Sequence, residues 1–463
     1  MSEPLEPSHP PQSALGDGGL LRRLGLFDCT MIVMGTIIGA GVFNTPTKIA
    51  FHMGSLGGVL AIWIAGGVIA MCGALVFAEL GSLFPRAGGQ YVFLREGFGR
   101  FVAFLFGWLL LAAINSGAIA YVANVFVDHL QELLAFAGHD PAWSQGERSS
   151  IAVAGIVVLA LINIRGVRLG ATVQNVAMLT KIVGIGMVIV LGTLAVAGAL
   201  APSPPPSTTV HDWTWSGIGI SLLSVVFTYG GFQNVTAVAG EARDPQRTIP
   251  RAVLIGTVLV IALYIAMNAS LIAILGVDGV ANSKTPTMAA AGRVVSWGEP
   301  VVAALVMIST LAITQALLFV TPRIYYAMAL DGVFFRAAAY VHPRWRTPVV
   351  AIALQAVFGC LHLFAGETLD LLQMVTIADF TFFVLCGITL FVFRARGVGG
   401  SAAYRAFGYP WLPAVFVLAS LGIVINAVLN AEAIAVRRAG AIVAAGLVLY
   451  LVFGWLERRR RAA

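Results

Sequence analysis

Charged side chains are scarce in this chain. Asp, Glu, Lys and Arg make up 11% of its 463 residues, where soluble domains carry about 25%. With 59% hydrophobic residues and a mean hydropathy of +0.90, no stretch can build a large water-facing domain. Cysteine is scarce too. The four present, Cys29, Cys72, Cys360 and Cys386, lie within or at the edge of apolar runs and never in a long exterior loop. That excludes a disulfide scaffold and leaves them as small packing side chains. His211, His342 and His362 lack metal-ligand spacing, and no nucleophile–base pair or cofactor motif stands in adequate context. No metal, cofactor or enzymatic reaction is therefore expected. Sustained polar/apolar alternation is missing as well, which excludes a β-barrel. The first 20 residues, polar and rich in Pro, Ser and Gly, have no positively charged segment ahead of an apolar core. They read as a short disordered cytoplasmic tail (1–20), not a cleaved signal peptide.

Long apolar runs, separated by short charged connections, occupy almost everything else. The expected fold class is an all-α polytopic membrane protein. Twelve spans are expected, at 28–51, 56–80, 101–128, 149–168, 171–199, 216–240, 251–276, 300–328, 347–366, 371–393, 411–430 and 440–457. The core covers 21–430, with helices 1–5 (28–199), helices 6–10 (216–393) and helix 11 (411–430); helix 12 (440–457) and a basic cytoplasmic tail (458–463) follow. Most of the 28 basic residues fall in the N-terminal tail and every second connection, from Arg22 and Arg23 to the Arg458–Arg461 run. The positive-inside rule puts both termini in the cytoplasm. This asymmetry accounts for the net charge of +7 with no nucleic acid partner; the last arginines anchor a helix end.

Two glycine-broken segments interrupt spans that should be continuous: Gly35-Thr36-Ile37-Ile38-Gly39-Ala40-Gly41 and Phe227-Thr228-Tyr229-Gly230-Gly231-Phe232. Unwinding frees backbone groups, which lipid tolerates only where they face a cavity or ligand. Paired breaks in two halves of a membrane protein point to a central site. Spans 1–5 and 6–10 form such halves, and because five is odd, any five-helix repeat here must be inverted. Taken alone, Gly-x-x-x-Gly also serves close helix packing. In the functional reading the helix opens near Gly39–Gly41; amides of the next half-helix suit a carboxylate, and carbonyls ending the previous one suit an ammonium. Together the breaks suit a small zwitterion held mainly by backbone groups.

Two charges lie inside apolar spans, where polarity is expensive. Lys181 either snorkels to an interface or tethers the broken first helix by donating to its freed carbonyls, in place of a bound cation or as a proton acceptor. Asp379, within span 10, pairs with another helix or takes part in coupling. Glu79, Glu96 and Glu241 sit near the cytoplasmic boundary, as gating or structural ion pairs or as helix ends.

At this point the chain resembles the amino acid–polyamine–organocation (APC) transporter family, especially the L-type amino acid transporter branch and its bacterial relatives. The resemblance rests on Gly35 to Phe43, Phe84-Pro85-Arg86-Ala87-Gly88-Gly89-Gln90-Tyr91, Phe227 to Asn234, Glu241 to Arg251, His342-Pro343-Arg344 and Tyr404 to Pro410. It implies a LeuT-like fold, an inverted 5+5 helix repeat plus two C-terminal helices, working by alternating access. It further implies a substrate carboxylate on Gly39, Ala40 and Gly41, and a substrate amino group on the carbonyls of Ile37, Phe227 and Gly230. Phe227, Thr228, Phe232 and Gln233 become the side-chain pocket and gate, and Lys181 the surrogate for a sodium site. Thr228 and Phe232 stand where many members carry Ala and Trp. The connection between spans 3 and 4 lacks the cysteine that joins an ancillary glycoprotein in eukaryotic members, so no disulfide-linked subunit is expected.

The expected function is sodium-independent exchange of small or medium neutral L-amino acids across the bacterial cytoplasmic (inner) membrane. Proton-coupled symport or uniport, carriage of cationic amino acids or polyamines, and a non-transporting amino-acid sensor are the alternatives. Membrane lipids are the expected surroundings; apolar outer faces contact them and therefore define no subunit interface.

Overall fold

The computed structural model describes residues 20–39, 41–139, 141–198, 214–364, 368–399, 403–431 and 433–462, with side chains for all of these except 368–374, 433–435, 456–458 and 460–462. Residues 1–19 of the expected tail (1–20) and the Ala40 position lie outside the described residues.

Helix α1 (Leu26–Ile37) starts where the Asp28 carboxylate accepts a hydrogen bond from the Gly25 amide at 2.9 Å. It stops at Ile38, whose ψ of 93° leaves the helical region. Helix α2 (Gly41–Met53) resumes with a 46° bend. Next come α3 (Leu56–Leu83), the short α4 (Gln90–Phe98), and α5 (Arg100–Leu109), which passes through a π-helical turn at Leu110–Ile114 into α6 (Asn115–Phe136). Helices α7 (Gln145–Ile164) and α8 (Val167–Val196) complete the first half.

Helix α9 (Trp215–Thr228) ends at the second break, and a 3₁₀ turn covers Asn234–Glu241. The second half then continues through α10 (Pro245–Ala281), α11 (Pro286–Val294), α12 (Gly298–Val320), α13 (Pro322–Leu330), α14 (Val349–His362) and α15 (Thr368–Ala395). Helices α16 (Trp411–Leu429) and α17 (Ala433–Ala462) close the chain.

Among the described residues, nine helices are long and apolar enough to cross a membrane, ten if α1 and α2 count as one bent span. The sixth and ninth expected spans appear as shorter apolar helices, α9 and α14. The fourth expected span starts earlier than its apolar run. Ser144 caps α7 by accepting from the Glu147 amide, while Glu147 Oε2 accepts from the Ser144 amide at 2.8 Å. A reciprocal cap of this kind nucleates a helix before its apolar residues begin. Gly166, at φ 144°, separates α7 from α8. Helix α17 runs on to Ala462, so the arginines expected as a tail after residue 457 are helical. Arginine is a good helix former, and cations suit a helix C-terminus.

The core is where the two breaks meet their neighbours. Helix α1 packs against α8, α10 and α12, while α9 packs against α2 and α3. Helix α17 lies at the margin, with 6% of its apolar window buried, as expected of a helix facing lipid on most sides. Helix α15 packs against α3, α4, α6 and α16, and thus closes the core from another side.

Candidate functional site

Both breaks border one cavity of about 210 Å³. From the first break Thr36, Ile37, Gly39 and Gly41 line it; from the second, Phe227, Thr228, Gly230 and Gly231. The breaks also touch each other. Thr36 Oγ1 donates to the Gly231 carbonyl at 2.9 Å. Gly231 sits at φ 122°, and a Cβ there would lie 2.4 Å from the Thr36 carbonyl oxygen. Only glycine allows both the left-handed turn and this approach of two backbones. Gly41 is similarly confined, with Thr228 Oγ1 3.1 Å from where its Cβ would be.

Side chains hold the breaks open. Lys181 of α8 is 2% exposed. Its Nζ donates to the Ile38 carbonyl at 2.6 Å and reaches the Gly35 carbonyl at 3.5 Å. These are carbonyls that lost their amide partners when α1 unwound. Of the two readings of Lys181, the structure thus selects the tether and excludes snorkelling. Tyr264 of α10 donates its hydroxyl to the Ile37 carbonyl at 3.1 Å. On the second break, the Gly231 amide donates to Gln233 Oε1 at 3.0 Å, and the Gly230 amide to the Phe227 carbonyl at 3.0 Å. Thr228 Oγ1 donates to the Ser224 carbonyl at 2.7 Å and lies 3.0 Å from Thr45 Oγ1, which joins α9 to α2. A carbonyl oxygen has two lone pairs, so Ile37 and Phe227 each keep acceptor capacity beside these bonds.

Of the expected site residues that are described, all but Phe232 and Lys181 converge on the cavity. Gly39, Gly41, Ile37, Phe227, Thr228, Gly230 and Gln233 all line the cavity, and so does Asp379 from α15. Phe227 is 42% exposed there, as an aromatic beside a gap must be if it is to cover a solute. Phe232 is not on the wall. It is 2% exposed and packed among Phe77, Phe383 and Phe416, with ring centroids 5.8, 6.1 and 6.3 Å away. The φ of Gly231 turns the chain so that successive side chains leave on different sides, and the large ring goes to the apolar one.

Several wall residues escaped the sequence reading: Gln90, Asn115, Tyr121 and Asn234. Asn115 follows the π-helical turn and donates to Thr321 Oγ1 at 2.6 Å. The signal for it was a polar amide inside an apolar span, the same cost argument that exposed Lys181. Tyr264 carried no such signal, because a tyrosine in a membrane helix is unremarkable until its hydroxyl partner is known.

Tyr121 also lines a second cavity with Asn44, Asp128, Glu132 and Lys284. Ion pairs tie other parts of the bundle together. Arg323 makes a bidentate contact with Glu241 at 2.9 and 3.0 Å, both side chains essentially unexposed. Arg394 holds Glu79 the same way at 2.9 and 2.7 Å. Arg23 and Leu24 amides both donate to the Glu241 carbonyl, at 2.8 and 2.9 Å, fastening the segment before α1 to the end of the 3₁₀ turn Asn234–Glu241. In the connection before α5, Glu96 contacts Arg86 at 2.8 Å and Arg95 at 2.7 Å, and Arg95 also pairs with Asp331. Burial pushes the Glu96 carboxyl up, but the hydrogen bonds and charges of Arg95 and Arg86 outweigh it and hold the group below the ordinary 4.5.

A cavity lined by two helix breaks within a bundle of membrane-length helices suits a carrier, and comparison with known proteins agrees. Residues 24–453 match the family described as amino acid permease. The serine/threonine exchanger SteT of Bacillus subtilis is 27% identical over 454 residues, 96% of this chain and 99% of the relative. The human b(0,+)-type amino acid transporter 1 is 27% identical over 445 residues, 95% and 90% of the two chains. The human large neutral amino acids transporter small subunit 2 is 26% identical over 388 residues, 82% and 71%. The chain belongs to the amino acid permease family of the APC superfamily, and is an integral membrane secondary amino-acid transporter rather than an enzyme.

Proposed function

We propose that this protein exchanges small or medium neutral L-amino acids across the membrane by alternating access, without sodium. The observation that carries the reading is the pair of helix breaks facing one cavity and joined through Thr36 and Gly231. In this reading the amides at the start of α2, around Gly39, Ala40 and Gly41, take the substrate carboxylate, where the helix dipole favours negative charge. The free lone pairs of the Ile37, Phe227 and Gly230 carbonyls take the ammonium. Phe227 covers the solute, and Thr228 and Gln233 shape the space for its side chain. Lys181 supplies a fixed positive charge beside the first break, which removes the need for a bound cation there. SteT is named for serine/threonine exchange, and exchange of small amino acids is the activity proposed for this chain.

The architecture that goes with this function is twelve spans, the first ten arranged as two inverted sets of five. Two features support it: a broken helix opens each set, and parity requires opposite entry. The arginine-rich connections and both termini are placed on the cytoplasmic side by the positive-inside rule. In that orientation the Arg323–Glu241 and Arg394–Glu79 pairs lie near the cytoplasmic face.

The test is uptake of labelled neutral amino acids into purified proteoliposomes in sodium-free buffer, with and without internal unlabelled amino acid. Uptake confined to loaded vesicles is expected. Comparable uptake into empty vesicles overturns obligatory exchange in favour of uniport, and a response to an imposed pH gradient turns it into proton symport. No amino-acid-dependent uptake in any vesicle overturns the whole reading.

A further inference from the structure

The cavity between the breaks is lined by one acidic side chain. Among the described residues on its wall there is no Lys, Arg or His, and Asp379 is the single carboxylate. The side chain is half-buried. Among the described residues none makes a hydrogen bond or ion pair with it, and it lines the cavity. Every other acidic side chain near the core has a dedicated partner: Glu79 has Arg394, Glu241 has Arg323, and Asp331 has Arg95.

Around Asp379 the wall is apolar, formed by Val375, Phe380 and Phe383 of the same helix. A carboxylate without a partner in such surroundings is costly, and the cost is relieved by a donor or by protonation. The wall's own donors, among them Gln90, Asn115, Tyr121, Gln233 and Asn234, make no hydrogen bond to it, which leaves a solute in the cavity or water to supply one. Helix α15 reaches the cavity from the α4 and α6 side, whereas α1 reaches it from among α8, α10 and α12. Asp379 thus lines the same cavity as the two breaks but from a different helix.

We infer that Asp379 receives a hydrogen-bond donor on the substrate's side chain, a hydroxyl or an ammonium, and so sets the preference among small amino acids. This rests on the reading that the cavity binds an amino acid. A site built to bond a polar group rejects the analogue lacking it far more strongly than an apolar pocket rejects an added methyl.

The experiment is competition against labelled-alanine exchange in proteoliposomes of wild type, Asp379→Asn and Asp379→Leu. Serine against alanine tests the hydroxyl, and 2,3-diaminopropionate against 2-aminobutyrate tests the ammonium. The quantity compared is the ratio of affinities within each pair, from which a general loss of activity cancels. In wild type at least one donor-bearing member is expected to win by roughly tenfold. The ratio is expected to fall to about threefold or less in Asp379→Asn and to vanish in Asp379→Leu. Asp379→Asn keeps the side-chain volume, so it decides the matter if the leucine variant does not fold. Equal ratios in wild type and Asp379→Asn overturn the inference, as does a wild type with no donor preference. So does an unchanged ratio accompanied by loss of pH dependence, which makes Asp379 a proton carrier. Absence of alanine exchange in wild type is a different failure, that of the transport reading itself.

Discussion

Thr36 Oγ1 lies 2.9 Å from the carbonyl oxygen of Gly231, across the gap between two broken helices 195 residues apart. The same hydroxyl is 2.9 and 3.0 Å from the Ile32 and Val33 carbonyls of its own helix. A hydroxyl has one proton, so its bond to Gly231 competes with bonds inside α1. The contact is a latch that a change in either break can release.

Thr36→Val keeps the volume and removes the donor. A single neutral hydrogen bond contributes about 1 kcal/mol, or roughly fivefold in an equilibrium. Exchange kinetics are expected to show KM raised by about that factor with the protein stably inserted. Kinetics indistinguishable from wild type would show that the latch carries no energy.

Gly231→Ala should be far worse. It forces a Cβ to 2.4 Å from a backbone oxygen at φ 122°, and strain of this kind costs on the order of 1–3 kcal/mol before the clash is counted. Loss of exchange and lower thermal stability are expected. Gly219→Ala, where a Cβ meets nothing within 4 Å, is the control and should behave as wild type in both measurements.

Lys181→Ala leaves the Ile38 carbonyl buried without its donor, a penalty of about 1–3 kcal/mol. Exchange is expected to drop at least roughly tenfold while flotation assays show normal membrane insertion. Lys181→Arg should not restore it, because a planar guanidinium cannot replace a compact ammonium in a site this enclosed. Near-normal flux in the alanine variant would make Lys181 merely structural.

Glu241→Gln removes one charge from a fully enclosed ion pair and strands the Arg323 guanidinium. Breaking such a pair costs about 3–5 kcal/mol, whereas replacing both members by apolar groups is often neutral. The melting temperature of the purified protein should fall sharply in Glu241→Gln and recover in part in Glu241→Gln combined with Arg323→Met. Additive losses would mean that the two side chains do not act as a pair.

The Glu96 cluster makes a pH prediction. Its folded-state pKa lies below the unfolded 4.5, so its contribution is complete above that value and is lost as pH falls through the folded value. The stability difference between wild type and Glu96→Gln should stay flat across the neutral range and close only in acid below 4.5. A difference that changes near neutrality would place another titrating group in the cluster.

How much of this was legible beforehand differs from residue to residue. The apolar runs located the spans because lipid admits a backbone only with its hydrogen bonds satisfied internally, a constraint written in composition. Lys181 stood out because a charge in an apolar run has a cost visible without any structure. Phe232 misled, since an aromatic next to a break is equally suited to cover a solute or to fill the core, and the turn at Gly231 decides which. The ends of α7 and α17 were misplaced because caps and arginines extend helices beyond the apolar residues that mark a span.

By itself, then, the amino-acid order determined that this is a polytopic helical membrane protein with two breaks, a lone internal lysine and an internal aspartate. Those are local properties, set by hydropathy, glycine and the cost of charge in lipid. Only tertiary structure decided that Lys181 reaches Ile38 and not an interface. It also decided that Thr36 meets Gly231, that Tyr264 braces Ile37, and that Asp379 faces the cavity unpartnered while Glu241 and Glu79 are paired. Each of these joins residues far apart in the chain, and which partners meet depends on how whole helices pack, information no local window contains.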